Sequence, residues 1–168
     1  MQRINEILNQ DSYREYLKRN EEAERERKFC HHDMGHFLDV ARIASIINLE
    51  EDYGLSGELI YAAALLHDIG RWQQYEDGTP HEKASAVLAP DNLVKCGFNK
   101  EESELIVTAI SRHRDSAIKE DKDLNNPFRG PNNNRILSLS EDTNLILYSK
   151  YPIKECYIKY LKRPLEID

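Results

Sequence analysis

The run Leu59-Ile60-Tyr61-Ala62-Ala63-Ala64-Leu65-Leu66, which ends in His67-Asp68 and then Gly70, constrains this fold more than any other feature. A helix that is apolar nearly all round has no face for water and belongs at the centre of a packed domain. Ser56 is a suitable N-cap for it, and Gly70 is its stop. The polar pair at its end is therefore carried partly inside, where charged and polar groups need partners. Neighbouring residues on a helix point about 100° apart, so His67 and Asp68 can serve one centre together only at a helix end, where the chain turns.

The rest of the chain must cover this helix, and its pattern is helical almost throughout. Apolar residues recur at helical spacing, as in Ile4, Ile7, Leu8 and then Tyr13, Tyr16, Leu17, while strict alternation is hard to find. The fold class is all-α, and 168 residues with 40% hydrophobic content fit one domain spanning 1–168. A helix is expected over 36–50, with Phe37, Val40, Ala41, Ala44 and Ile47 on one face and Gly54 at its exit. Residues 71–80 are polar and end in Asp77-Gly78-Thr79-Pro80, which reads as a surface loop. A further helix starts near Pro80 and runs through Ala84, Ala86, Val87 and Leu88, with Pro90 ending or kinking it. Asn99 and Glu102 form a capping pair for a helix that turns Leu105, Ile106, Ala109 and Ile110 inward and ends at His113. Residues 115–134 read as a long loop, and 135–160 carry apolar clusters broken by Pro152. The mixed-charge run 21–28 reads as a solvated helix face with opposite-sign neighbours.

Charge and cysteine usage exclude several classes of function. A net charge of −7 gives no overall positive field, so nucleic acid and anionic membranes are not expected partners. Cys30, Cys96 and Cys156 show no C-x-x-C spacing, which fits reduced thiols in a cytoplasmic protein rather than a disulfide framework or structural zinc. No apolar run approaches the roughly 18 residues of a membrane span, and no leader is evident. Neither a P-loop nor a dinucleotide-binding glycine pattern is present. No motif speaks to oligomeric state, and a homo-oligomer is compatible with the sequence.

Chemistry concentrates in His36, His67-Asp68, His81 and His113. Neutral imidazoles with carboxylates are the donors of hydrolytic metal sites, and here they come from several helices. His31 and His32, just before them, read as capping or solvated side chains. The segments His36-x-x-x-Val40-Ala41, Ala62 through His67-Asp68-Ile69-Gly70-Arg71, His81-Glu82-Lys83-Ala84 and Ile110-x-x-His113 together resemble the HD superfamily of metal-dependent phosphohydrolases. The likeness covers roughly 29–113, within a motif core of about 29–142 and ahead of a less defined tail, 143–168.

The resemblance implies a single-domain helical bundle of the HD type with its metal site between central helices. It implies a divalent ion (Fe, Mn, Ni, Zn, Co or Mg), one or two, held by His36, His67, Asp68 and a late carboxylate. The family places an aspartate after a small residue there, whereas this chain offers Ser140-Glu141 or Glu141-Asp142, so Glu141 and Asp142 both stand as candidates. His81 and His113 match the extra histidines that hold a second ion or orient the phosphate. The implied reaction is hydrolysis of a phosphate ester or anhydride by metal-activated water, on a small phosphorylated metabolite that is nucleotide-like. Asp68 would act as ligand and proton acceptor, with His81, His113 and Arg71 completing the catalytic group. Arg71, Lys83 and Arg112 are candidate phosphate-binding side chains, Arg114 a weaker one, and Trp72 and Tyr75 either stack a base or pack at the rim. Two other classes stand beside this reading. One is a non-catalytic HD domain with an impaired metal site that binds a nucleotide or protein partner; the other is a phosphodiesterase acting on RNA or a cyclic dinucleotide, which would need a basic track that the acidic total disfavours.

Overall fold

A computed structural model describes residues 1–28, 31–50 and 52–113. Cys30, Arg114, the expected loop 115–134, Glu141, Asp142 and Cys156 lie outside the described residues, as does the side chain of Ile47. Among the described residues there are seven helices and no strand: α1 Gln2–Asn9, α2 Asp11–Ala23, α3 Met34–Glu50, α4 Gly57–Leu66, α5 Arg71–Glu76, α6 His81–Lys95 and α7 Lys100–Arg112. The all-α expectation holds.

The apolar helix α4 is central. It packs against α1, α3, α6 and α7, and Ile60 and all five residues from Ala62 to Leu66 are buried. Around it lie Ile4 and Ile7 of α1, Phe37, Val40 and Ala41 of α3, Leu93 of α6, and Ile106, Ala109 and Ile110 of α7. Each large side chain in that shell contributes on the order of 1.5–3 kcal/mol by leaving water.

The helix starts follow their caps. Ser56 Oγ accepts the Leu59 N–H at 3.3 Å, and Asn99 and Glu102 form a reciprocal capping box. Asp33 accepts the backbone N–H of His36 at 3.0 Å, so α3 begins at Met34, two residues earlier than expected.

Three expectations need correction. Residues 71–76 form a helix rather than loop, because Trp72 is buried, its backbone N–H reaches Asn20 Oδ1 at 2.9 Å, and the Arg19 guanidinium lies 3.2 Å from its ring centroid. Packing thereby overrides the polar composition. Of the two outcomes expected at Pro90, the helix end is the one overturned: α6 runs through it to Lys95, because the N–H that proline lacks is outweighed by burial of Ala89, Asn92 and Leu93 on either side. The charge run 21–28 is not one solvated face: α2 stops at Ala23 and Glu24 is buried.

The N-terminal helix is tied down by ions. Glu58 on α4 lies 2.6 Å from the Met1 amino nitrogen and 2.7 Å from Arg3 Nε, while Arg3 Nη1 reaches Glu102 at 2.7 Å. Hydrogen bonds from the amino terminus and from Arg3 hold the Glu58 carboxyl down at about 2. A carboxyl whose folded-state pKa is depressed stabilises the fold above its unfolded value of about 4.3 and loses that contribution as pH falls towards 2. The three groups are partly exposed, so the effect is modest and screened by salt. Acid titration of stability, followed by circular dichroism, should show a shallower decline between about pH 4.3 and 2 in Arg3→Ala than in the wild type. Parallel curves would contradict the pairing.

Candidate metal centre

The centre is built where α4 ends. After Leu66 the chain turns, with the Arg71 N–H bonded to the Asp68 carbonyl at 3.0 Å, and both sides of the turn are fastened. On one side Asn20 of α2 donates to the Asp68 carbonyl at 2.8 Å while accepting the Trp72 N–H. On the other, the Gly70 N–H reaches Ser85 Oγ at 3.0 Å, and a Cβ at Gly70 would sit 2.6 Å from the Ser85 backbone nitrogen and 2.7 Å from Ala84 Cβ. Gly70 is thus required for close approach of α6 as well as for the turn.

This fastening points Asp68 into a ring of nitrogens. Asp68 is fully buried; Oδ1 lies 3.1 Å from His81 Nε2 and 3.8 Å from His113 Nε2. Oδ2 lies 3.5 Å from His67 Nε2, 3.6 Å from His32 Nε2 and 3.7 Å from Arg71 Nη1. Neither oxygen accepts a well-formed hydrogen bond. For a buried carboxylate that is costly unless a cation takes the place of the missing donors.

The opposite edge of each imidazole explains the arrangement. Nδ1 of His67 lies 2.6 Å from the Ala64 carbonyl, Nδ1 of His113 lies 2.7 Å from the Ile110 carbonyl, and Nδ1 of His81 lies 2.6 Å from the amide oxygen of Gln74. Nδ1 of His32 lies 2.7 Å from Glu24 Oε1. Each of those partners is an oxygen that accepts, so each Nδ1 carries the proton, and in the neutral ring Nε2 presents its lone pair to Asp68. His81 and His113 even face each other Nε2 to Nε2 at 3.2 Å. Oxygen-anchored imidazoles converging on a carboxylate are the arrangement of metal ligands with their outer supports.

Electrostatics agree. Burial pushes the Asp68 carboxyl up, but positive charge on His67, His81, His32 and His113, carried when those rings are protonated, outweighs it and holds the group well below the usual carboxylate range, so without a metal ion protons on the rings take the place of the cation. Burial pushes His32 down, towards the neutral form that a ligand requires. Helices α4 and α7 both end on a site histidine, His67 and His113, so two helix C-termini, each worth about half a negative charge, sit at the cluster.

Among the described residues two overlapping donor trios result, each with its ligand atoms within 4.8 Å of one another: His32, His36 and Asp68, and Asp68, His81 and His113. The second is wholly buried; in the first, His32 and His36 are partly exposed, so the centre opens on their side. The His67 ring lies between, its centroid 5.4 Å from that of His36 and 5.3 Å from that of His113. The orphaned carboxylate and the donor chemistry fit a divalent ion.

The structure therefore brings His36, His67, Asp68, Arg71, His81 and His113 together. Lys83 is exposed on α6 and Arg112 is exposed at the end of α7, and neither belongs to the buried cluster. Trp72 is packed under Arg19, whereas Tyr75 hydrogen-bonds Glu24 at 2.9 Å. Sequence reasoning missed His32, Glu24, Asn20 and Gln74. For Asn20 and Glu24 a signal existed: the inward stripe Tyr13, Leu17 continues at helical spacing onto both. His32, expected to be a capping or solvated side chain, is instead clamped between Glu24 and Asp68, with its side chain 10% exposed.

Comparison with known proteins decides the lineage. The family described as HD domain matches residues 34–147. The chain belongs to the HD domain family. Its similarity to an uncharacterized protein of Clostridium beijerinckii is 53% identity over 115 residues, covering 68% of this chain and 73% of that one. This HD chain is also similar to the crystal structure of a predicted HD superfamily hydrolase from an uncultured Thermotogales bacterium. There the identity is 26% and the TM-score 0.55, over 78% of this chain and 67% of the other. Family, neighbour and His/Asp cluster together support a metal-dependent hydrolase in general terms. No helix among the described residues is long and apolar enough to cross a membrane.

Proposed function

We propose that this HD domain is a phosphohydrolase that cleaves a small, nucleotide-like phosphorylated metabolite in the cytoplasm. The observation that carries the reading is Asp68, a fully buried carboxylate with no well-formed hydrogen bond, ringed by imidazole nitrogens whose far edges are anchored to oxygens. His36, His67 and Asp68 would hold one divalent ion, with Glu141 or Asp142 as a further ligand, and His81 and His113 would hold a second or orient the phosphate. When bound, such an ion lowers the pKa of coordinated water from about 16 towards about 7 and offsets charge on phosphoryl oxygens.

The remaining chemistry belongs to the chain. Asp68, kept ionised by its neighbours, can accept a proton from attacking water at a carboxylate oxygen. Arg71 is held by Glu24 at 3.2 Å and stands 3.7 Å from Asp68, so its guanidinium is ordered before substrate arrives and offers positive charge to a phosphoryl oxygen. His67, His81 and His113 close the floor of the site against bulk water, leaving the His32–His36 side as the way in.

The test is phosphate release from a panel of nucleoside phosphates, sugar phosphates and phosphodiesters, with Mn2+ and after chelation. Metal-dependent release from at least one small phosphorylated compound is expected. Metal binding with no turnover anywhere in the panel would overturn the hydrolytic reading and leave a ligand-binding HD domain.

A further inference from the structure

We propose that His32 is an additional metal ligand of this centre, positioned by Glu24, and that with His36 and Asp68 it forms an outer cation position on the open side of the site. The inference rests on the reading of the cluster as a metal centre and deepens it. His32 and Glu24 both precede residue 34, where the match to the HD family begins, so neither residue falls within that match.

The geometry is specific. Glu24 is 1% exposed although it sits in a run of charged residues, and it takes the His32 backbone N–H on Oε2 at 2.7 Å and the His32 ring Nδ1 on Oε1 at 2.7 Å. Two bonds from one carboxylate fix both the backbone and the ring plane of His32. Tyr75 and Arg27 reach the same Oε1 at 2.9 and 3.0 Å, so the carboxylate is itself locked. With its proton on Nδ1, His32 presents the Nε2 lone pair to Asp68 Oδ2 at 3.6 Å. A lone pair facing a carboxylate oxygen is repulsive unless a cation stands between them. The His36 ring stands edge-on to His32 at 4.9 Å between centroids, and the ligand atoms of His32, His36 and Asp68 fall within 4.8 Å of one another. A carboxylate behind a histidine that faces a cation position fixes the tautomer and raises the ring's basicity as a ligand.

The trio shares Asp68 with the buried trio of His81 and His113, so the carboxylate is placed to bridge two ions. The outer one, lying towards solvent and the substrate entrance, is the one that His32 controls.

Equilibrium dialysis with Mn2+, together with the visible spectrum of the Co2+ form, tests this on the full chain. The wild type is expected to take up a second equivalent that His32→Ala loses or binds more weakly by well over the roughly 10- to 100-fold typical of an outer-shell change, and Glu24→Gln should weaken it within that range. The Co2+ spectrum of His32→Ala should lose intensity for the outer ion only, with an unchanged far-UV circular dichroism spectrum as the folding control. If His32→Ala is misfolded, His32→Gln, which keeps a polar side chain of similar length, carries the same expectation. Wild type and His32 variants with the same stoichiometry, affinity and Co2+ spectrum would overturn the assignment while leaving the metal centre intact. A wild type that binds no Mn2+ or Co2+ would instead sink the metal centre as a whole.

Discussion

Replacing Asp68 by Asn is expected to abolish metal binding and to cut metal-dependent hydrolysis by at least about 10²- to 10³-fold, the scale on which one charge-stabilising group in a dry site is felt. Asp68 belongs to both donor trios found among the described residues, and none of the other described residues is shared between them. The same substitution should have the opposite consequence for the metal-free fold. Asp68 is buried without a well-formed hydrogen bond, so without a metal ion, and at a pH where the surrounding imidazoles are neutral, its charge is a burden that a neutral amide of the same shape relieves. Thermal melts should therefore separate two effects. Without metal, at about pH 8 or above, where imidazoles of ordinary pKa about 6.5 are neutral, Asp68→Asn is expected to be at least as stable as the wild type. With Mn2+ at 100 times its dissociation constant, the wild type should gain about 2.7 kcal/mol and the variant nothing. A variant that is destabilised without metal and still stabilised by Mn2+ would show that Asp68 serves the fold rather than the ion.

Gly70→Ala should be the most damaging change of a single methyl group. The new Cβ would meet Ser85 N at 2.6 Å and the Ala84 carbonyl carbon at 2.7 Å, both backbone atoms that cannot swing aside. Helix α6 would have to retreat, at a cost of about 1–3 kcal/mol for overpacking, which for a chain of this size lowers Tm on the order of 2–12 °C. Retreat of α6 also carries His81 away from Asp68, now 3.1 Å distant, so metal affinity should fall together with stability. Gly78→Ala is the contrast: its φ of +80 costs an L-residue roughly 1–2 kcal/mol, but nothing lies within 4 Å of the added Cβ. Metal affinity in Gly78→Ala should be unchanged. Equal metal affinity in both variants would contradict the role given to the close contact between Gly70 and α6.

How far these features were legible varies by element. The central helix was legible because eight consecutive apolar residues leave no other place for it, and Asn99 with Glu102 announced α7 because capping is local chemistry. Helix α5 was not, since what makes 71–76 helical is Trp72 settling under Arg19 and against Asn20, residues about 50 positions earlier. Local propensity does not decide whether α6 stops at Pro90 or carries on through it, for the same reason: burial on either side does.

The site divides along the same line. His67 and His113 anchor their Nδ1 protons on carbonyls three residues back, an arrangement within reach of a sequence reading because both close a helix. His32 could not be separated from its neighbour His31 by spacing, since its position depends on Glu24 turning inward beyond α2. Lys83 and Arg112, neighbours in sequence of His81 and His113, stand at exposed positions of α6 and α7, since a helix turns adjacent residues to different faces.

Anomalous diffraction at the manganese edge from crystals grown with Mn2+ addresses the metal centre most directly. A peak within roughly 2.0–2.3 Å of ligand atoms on His36, His67 and Asp68 is expected, the distance range of nitrogen and oxygen donors to such ions. Saturating Mn2+ with no peak at Asp68, or with the ion bound elsewhere on the surface, would contradict it.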